Sequence, residues 1–164
     1  EYAKIITDHP NVTALEPHEF FQRVRAGILP RFDVVVTASS VEHSGLGRYN
    51  DALNPWGDLI AIARAFCVSA RHARLVIAVP TTFQRDAEHE ATTEEEAMKF
   101  GTDWLGFNGA RTYGPVRYPY LVTNWQFAHR VDPARANRTG CNPHCGKEPP
   151  AWGQIVYVFQ KRDH

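Results

Sequence analysis

Apolar residues in this chain gather in short runs separated by stretches with helical spacing. Phe32-Asp33-Val34-Val35-Val36-Thr37 is β-branched and nearly unbroken, the pattern of a strand buried on both faces. Arg74-Leu75-Val76-Ile77-Ala78-Val79 is a second run, stopped by Pro80, and Gln154-Ile155-Val156-Tyr157-Val158-Phe159-Gln160 is a third. A weaker run, Asn11-Val12-Thr13-Ala14-Leu15, lies nearer the start. Between the runs the period changes. Pro17 to Ala26 carries Phe20, Phe21 and Val24 at helical spacing and stops at Gly27, a C′ glycine. Asn54 as N-cap and Pro55 at the first helical position open a second helix. Its Leu59, Ile62, Ala63, Phe66 and Cys67 follow the 3.6 period. Thr92 or Thr93 with Glu95 or Glu96 three residues on resembles a capping box, predicting a short acidic helix that runs to Phe100.

Strands alternating with helices at this spacing predict an α/β layered sheet, its strands paired in parallel through right-handed crossovers. No repeat or linker divides the chain, so residues 1–164 read as one domain. Residues 83–150 are less regular, rich in Gly, Pro, Asn and aromatics, and read as an elaboration. Such a stretch carries substrate contacts or an oligomer interface, or simply covers the sheet edge.

Composition narrows the partners. Lys and Arg number 18 against 18 Asp and Glu, which removes the basic footprint of a nucleic-acid binder and any pull toward an anionic membrane surface. No apolar run approaches the ~20 residues that span a bilayer. Three cysteines, Cys67, Cys141 and Cys145, are too few for a disulfide framework, and Cys67 reads as a small buried hydrophobe. Cys141-Asn142-Pro143-His144-Cys145 lacks the second ligand pair of a structural zinc site and reads as a turn, so no metal is expected. Asn11-Val12-Thr13 and Asn137-Arg138-Thr139 match the N-glycosylation acceptor pattern. Seven asparagines and fifteen Ser and Thr predict about 0.6 such matches by chance, so two matches point only faintly to a secretory lumen rather than the cytoplasm.

Open parallel sheets bind ligands at the carboxyl ends of their strands. Directly after the run ending at Thr37 comes a loop, Ala38 to Asp51, with two carboxylates, an imidazole, a guanidinium, a phenol and two glycines. That set suits general acid–base work. His43 is the candidate proton acceptor, with Glu42 or Asp51 to orient it. Adjacent residues usually point apart, so Glu42 and His43 are not expected to bond directly. The plain alternative is that His43 caps the next helix or fills a polar notch. Trp56, on the same rim, stacks on a flat ligand or packs on the sheet. Arg111, Thr112, Tyr113 and Arg117 form a second polar cluster, suited to a carboxylate, phosphate or sugar hydroxyl, or to a proline-rich surface turn. Nucleophile-elbow, phosphate-loop, zincin and dinucleotide fingerprints are all absent.

The string Phe32-Asp33-Val34-Val35-Val36-Thr37-Ala38-Ser39-Ser40-Val41-Glu42-His43 resembles the fourth strand and following loop of class I S-adenosylmethionine-dependent methyltransferases. Ser40 through Tyr49, Asn54-Pro55-Trp56-Gly57-Asp58 and Arg111-Thr112-Tyr113-Gly114-Pro115 together resemble the methyltransferase-like domain of unknown function 268. The resemblance spans most of residues 32 to 120. It implies a Rossmann-like sheet, mostly parallel, with an antiparallel last strand. Residues 11–15 would be the third strand, 32–37 the fourth, 74–79 the fifth and 154–160 the last. Glu1 would take the ribose hydroxyls of S-adenosylmethionine, and Ser39 and Ser40 would line the cofactor side of the pocket. The first strand and its glycine-rich turn are missing, so the chain is expected to be a piece of a longer protein or, as the alternative, to have lost the cofactor site.

The resulting expectation is O-methyl transfer to a hydroxylated small molecule or a glycan. His43, Glu42 and Asp51 would be catalytic, and Arg48, Tyr49, Trp56, Arg111 and Tyr113 would bind substrate. The alternatives are a non-catalytic sugar- or peptide-binding domain on the same sheet and a nucleotide-sugar-modifying enzyme. A homo-oligomer is compatible with either.

Overall fold

The computed structural model describes residues 5–81, 103–131 and 156–163. The predicted helix over 92–100, the segment Cys141–Cys145, Asn137 and Glu1 lie outside them. The architecture is mixed α/β. Helix α1 (Pro17–Arg25) precedes strand β1 (Phe32–Ala38), a single 3₁₀ turn (Val41–His43), helix α2 (Gly57–Val68) and strand β2 (Ser69–Ala78). A two-stranded hairpin follows, β3 (Trp104–Leu105) and β4 (Arg111–Thr112), then short helix α3 (Arg117–Leu121) and strands β5 (Trp125–Val131) and β6 (Val156–Lys161).

Local chemistry sets the boundaries of α1. Glu19 reaches back to accept the Glu16 N–H at 2.9 Å, and Pro17 stands at the first position. At the other end Gly27 takes φ +68°, its N–H bonds to Val24 and that of Ile28 to Arg23, a Schellman ending. Helix α2 starts at Gly57, later than Asn54-Pro55 predicts. The Asn54 side chain instead accepts the Trp56 N–H at 2.9 Å, closing a turn ahead of the helix.

The main sheet has four strands in the order β1-β2-β6-β5. β1 and β2 are parallel, joined through α2, with Val35 opposite Leu75. β6 runs antiparallel to both its neighbours, Phe159 facing Leu75 on one side and Phe127 on the other. β5 therefore runs with β1 and β2, and β6 is reversed between them. Leu75, Ile77 and Phe159 are fully buried at the sheet centre. Trp125, Tyr118, Tyr157 and Ile62 complete the core, with Phe66 edge-on to Trp125 at 5.7 Å.

Four sequence expectations are corrected. Residues 11–15 form no strand; 11–13 run exposed, and Ala14 and Leu15 half-buried, toward the cap of α1. β1 is not buried on both faces: among the described residues it pairs only with β2, and Val34 and Val36 stand 51% and 68% exposed. Cys67 is exposed rather than buried. Part of the stretch read as an elaboration, residues 125–131, supplies the strand at the other end of the described sheet. The Trp125–Val131 sequence mixes aromatic and charged residues because one of its faces meets the core and the other does not.

Leu75→Ala, at the centre of the sheet, should lower stability by about 2–5 kcal/mol, read as a shift of the urea midpoint. A loss below about 0.5 kcal/mol would mean that this layer is not the core.

Candidate functional site

At the end of β1 the Ser39 N–H still bonds to the Ala78 carbonyl at 3.0 Å, and Ser39 itself turns left-handed at φ 47°. Ser39 and Ser40 are exposed there, at the carboxyl end of the parallel pair. The chain then enters the 3₁₀ turn, which buries Val41 and Glu42. Gly45 follows at φ +77°, where a Cβ would lie 2.2 Å from the Asn54 carbonyl oxygen, so only glycine lets the two arms of the loop close. Gly57 is equally constrained, since a Cβ would stand 2.5 Å from the Ser44 oxygen.

A closed loop strands carbonyls, and Arg111 collects them. Its Nη1 donates to Ser44 O at 2.6 Å and Glu42 O at 3.3 Å, and its Nη2 to Asn54 O and Pro55 O, both at 3.3 Å. Its Nε faces Asp58 Oδ1 at 3.6 Å. Arg111 is 1% exposed and Asp58 fully buried, so the pair forms in a low-dielectric interior. Asp58 is satisfied further by Arg117, whose Nε and Nη2 donate at 2.8 and 2.6 Å, and by the Tyr113 hydroxyl at 3.0 Å. Burial, then the Asp58 charge and hydrogen bond, push the Tyr113 hydroxyl far above its ordinary range, so it stays a donor. Hydrogen bonding to Asp58 likewise holds the Arg117 guanidinium still more firmly charged. Asp103 accepts the backbone N–H groups of Gly114, Val116 and Arg117 at 2.9–3.0 Å, fixing the segment that presents Arg117.

His43 sits half-buried on the outside of this network. Its Nδ1 lies 2.6 Å from the Gly109 carbonyl, which can only accept, so Nδ1 carries the hydrogen and Nε2 holds the lone pair of the neutral ring. Nε2 is 3.7 Å from Oε1 of Glu42, whose carboxylate is 1% exposed and whose Oε2 has no hydrogen-bond partner among the described residues. Glu42 and His43 make no direct hydrogen bond, in keeping with the sequence expectation, but the 3₁₀ turn keeps the two side chains close, since it does not alternate them as a strand does. Tyr49 meets the imidazole edge-on at 5.6 Å.

Asp51 serves the loop. Its Oδ2 accepts the Gly45 N–H at 2.5 Å and its Oδ1 the Tyr49 N–H at 3.3 Å. Partial burial pushes its carboxyl up, but these backbone donors together outweigh burial and hold it below its ordinary value. Arg48 and Tyr49 lie on the exposed rim, the guanidinium 5.7 Å from the phenol ring. Trp56 is 60% exposed, with Arg117 placed 5.7 Å from its ring. The structure thus gathers His43, Glu42 and Tyr49 in one place and sets Trp56 on the rim. Arg111 and Tyr113, read from the sequence as substrate groups, have their polar atoms turned to the loop and to Asp58. Asp58 and Asp103 are the structural charges that the sequence reading did not single out, and Arg117, read with the second polar cluster, serves Asp58. The one signal for Asp58 was a carboxylate in the first turn of an otherwise apolar helix.

The family profile described as "Caenorhabditis protein of unknown function, DUF268" matches residues 3–88, just over half of the chain. The chain belongs to this family. No curated protein and no solved structure matches it. The DUF268 match contains β1, the loop, α2 and β2, and it stops before the hairpin that carries Arg111 and Tyr113. Among the described residues no helix is long and apolar enough to cross a membrane.

Arg111→Lys keeps the charge but cannot reach four carbonyls with one ammonium, and should cost about 2–4 kcal/mol by chemical denaturation. An unchanged midpoint would remove Arg111 from its structural role. The lowered Asp51 carboxyl stabilises the fold above its ordinary value of 3.8, and that contribution is lost as pH falls through the folded value. Asp51→Asn should therefore melt lower than the parent near about pH 6, with the gap closing below about pH 4. A gap of equal size at both would rule out the carboxylate as its source.

Proposed function

We propose that this DUF268 chain is the acceptor-side part of an S-adenosylmethionine-dependent methyltransferase that methylates a hydroxyl on a small molecule or glycan. The observation that carries this reading is the strand direction pattern. A parallel pair is joined through a helix, and the last strand in the chain lies reversed inside the sheet. That is the arrangement the class I methyltransferase resemblance implies, and it puts the His43 loop at a carboxyl end where such sheets bind ligands.

Ser39 and Ser40 would face the cofactor. Both are exposed at the carboxyl end of β1, so the described part of the proposed site fits the polar edge of an adenosine group. Glu1, which would take the ribose, lies outside the described residues. S-adenosylmethionine supplies a methyl group on a sulfonium centre, which a hydroxyl oxygen can attack. The chain's own part is to hold the hydroxyl and remove its proton. With Nδ1 committed to Gly109, the lone pair on His43 Nε2 is the acceptor. The Glu42 carboxylate would then face the imidazolium so formed, across the 3.7 Å that separates them. Tyr49 and Trp56 would flank the acceptor molecule. Proton removal of this kind supplies typically ~10²–10⁴-fold in rate, and alignment most of the remainder.

The exposed Trp56 and Tyr49 also favour a second reading, a cofactor-free domain that binds sugar or peptide on this rim.

Calorimetric titration of the full-length protein with S-adenosylmethionine and S-adenosylhomocysteine separates the two. Micromolar binding is expected, together with a fall in methyl transfer of about 10²-fold or more in His43→Ala at unchanged cofactor affinity. Absence of binding to either nucleoside would transfer the case to the binding domain. Near-normal turnover in His43→Ala would remove His43 as the base.

A further inference from the structure

The segment ahead of α1 carries a motif that the proposed chemistry leaves unused. Residues 5–16 contain no helix or strand, and 5–13 are exposed throughout. A turn organises their middle. The Val12 N–H donates to the His9 carbonyl at 3.1 Å, the Asn11 N–H to His9 Nδ1 at 3.2 Å, and the His9 N–H to Thr7 Oγ1 at 3.2 Å. Asn11 is the third residue of that turn. The structure gives no hydrogen bond from its carboxamide or from the Thr13 hydroxyl, although Thr7 and His9 beside them are both engaged.

We propose that Asn11 is a modification site that accepts an N-linked oligosaccharide. Asn11-Val12-Thr13 has the acceptor amide, a middle residue other than proline and the hydroxyl two positions on, and Ala14 follows it. The fold meets the remaining physical requirement, because a transferase must reach both side chains at once on an exposed turn. In the step, Asn11 Nδ2 bonds to the anomeric carbon of an oligosaccharide. That carbon's bond to the diphosphate of its lipid-linked donor breaks, the diphosphate leaves with the bonding pair, and the amide gives up one proton. A second observation bears on what the sugar would do. Ile5, Ile6 and Val12 are 50%, 87% and 51% exposed on the same segment. Such a β-branched, exposed stretch associates with its like unless something bulky and polar covers it. This inference is independent of methyl transfer.

Asn50 and Asn108 supply internal controls. Both are exposed residues in left-handed turns, but Ala52 and Ala110 stand two positions on, so neither should be modified.

The experiment uses the full-length protein made in animal cells, treated with peptide N-glycosidase in heavy-oxygen water and digested with trypsin. The tryptic peptide from Ile5 to Arg23 contains no other asparagine. It is expected to return with Asn11 converted to heavy-oxygen Asp only when the glycosidase is added, whereas Asn50 and Asn108 show no enzyme-dependent conversion. Asn11→Gln and Thr13→Ala should each abolish the conversion or the matching step in gel mobility, and Thr13→Ser should retain it. Recovery of the peptide with an unmodified Asn11 amide would overturn the proposal, as would a Thr13→Ala protein that is still converted.

Discussion

The loop that shapes the candidate site depends on one guanidinium. Between Glu42 and Pro55 the chain folds back on itself so tightly that four of its carbonyls converge on one guanidinium, Asn54 O taking the Gly57 N–H and Pro55 O the Arg117 Nη2 as well. Buried carbonyls without donors cost about 1–3 kcal/mol each, so a loop of this shape is unstable on its own. Arg111 removes that cost with two nitrogens, because a planar fork can serve several acceptors that a lysine ammonium cannot. Its own burial is tolerable only because Asp58 stands beside its Nε, and Asp58 in turn is saturated by Arg117 and Tyr113. The network is cooperative in the sense that no member could be removed without stranding another.

The same hairpin that delivers Arg111 also delivers the Gly109 carbonyl that orients His43. Loop shape and imidazole tautomer are therefore set by one insertion between β2 and β5. Asp103 at the start of the hairpin holds the first turn of α3, and through it the guanidinium that clamps Asp58. Residues far apart in the chain converge on a small volume at the carboxyl end of β1. Glu42 Oε2, like Arg111 Nε, has no hydrogen-bond partner among the described residues, and Glu42 lies against the imidazole of His43. A group left in that condition marks a place where the fold has conceded stability, as functional sites commonly do.

Much of the architecture was legible in the chain. The runs at 32–37, 74–79 and 154–160 are β-branched and apolar, and each is or contributes a strand, because such side chains suit a pleated surface whatever their neighbours. Gly27 ends α1 where expected, since the left-handed ending is a local demand. The 11–15 run failed because four β-branched or apolar residues make no strand without a partner ladder. β5 was missed for the converse reason: Gln126, His129 and Arg130 hide a strand whose pairing with β6 outweighs its local preference. The loop was legible as a site by its density of titratable groups. The division of labour among those groups was not, since Arg111 and Tyr113 read as substrate contacts until their partners were known.

The sequence by itself determined the strands over 32–37, 74–79 and 156–160, the glycine that ends α1, the glycines that permit the loop to close, the balanced charge and membership of its family. These are local or summed properties, set by backbone sterics and side-chain chemistry over a few residues. Only the tertiary structure decided that β1 pairs with β2 alone among the described residues, that β6 is reversed between β2 and β5, and that Glu42 lies beside His43. It also decided that the two arginines serve the fold. The contacts of the two arginines and Tyr113 join residues 55 to 69 positions apart, and the strand order turns on pairings just as remote from any local pattern. No window along the chain contains that information, because desolvation acts on groups brought together only when the sheet and its hairpin have closed.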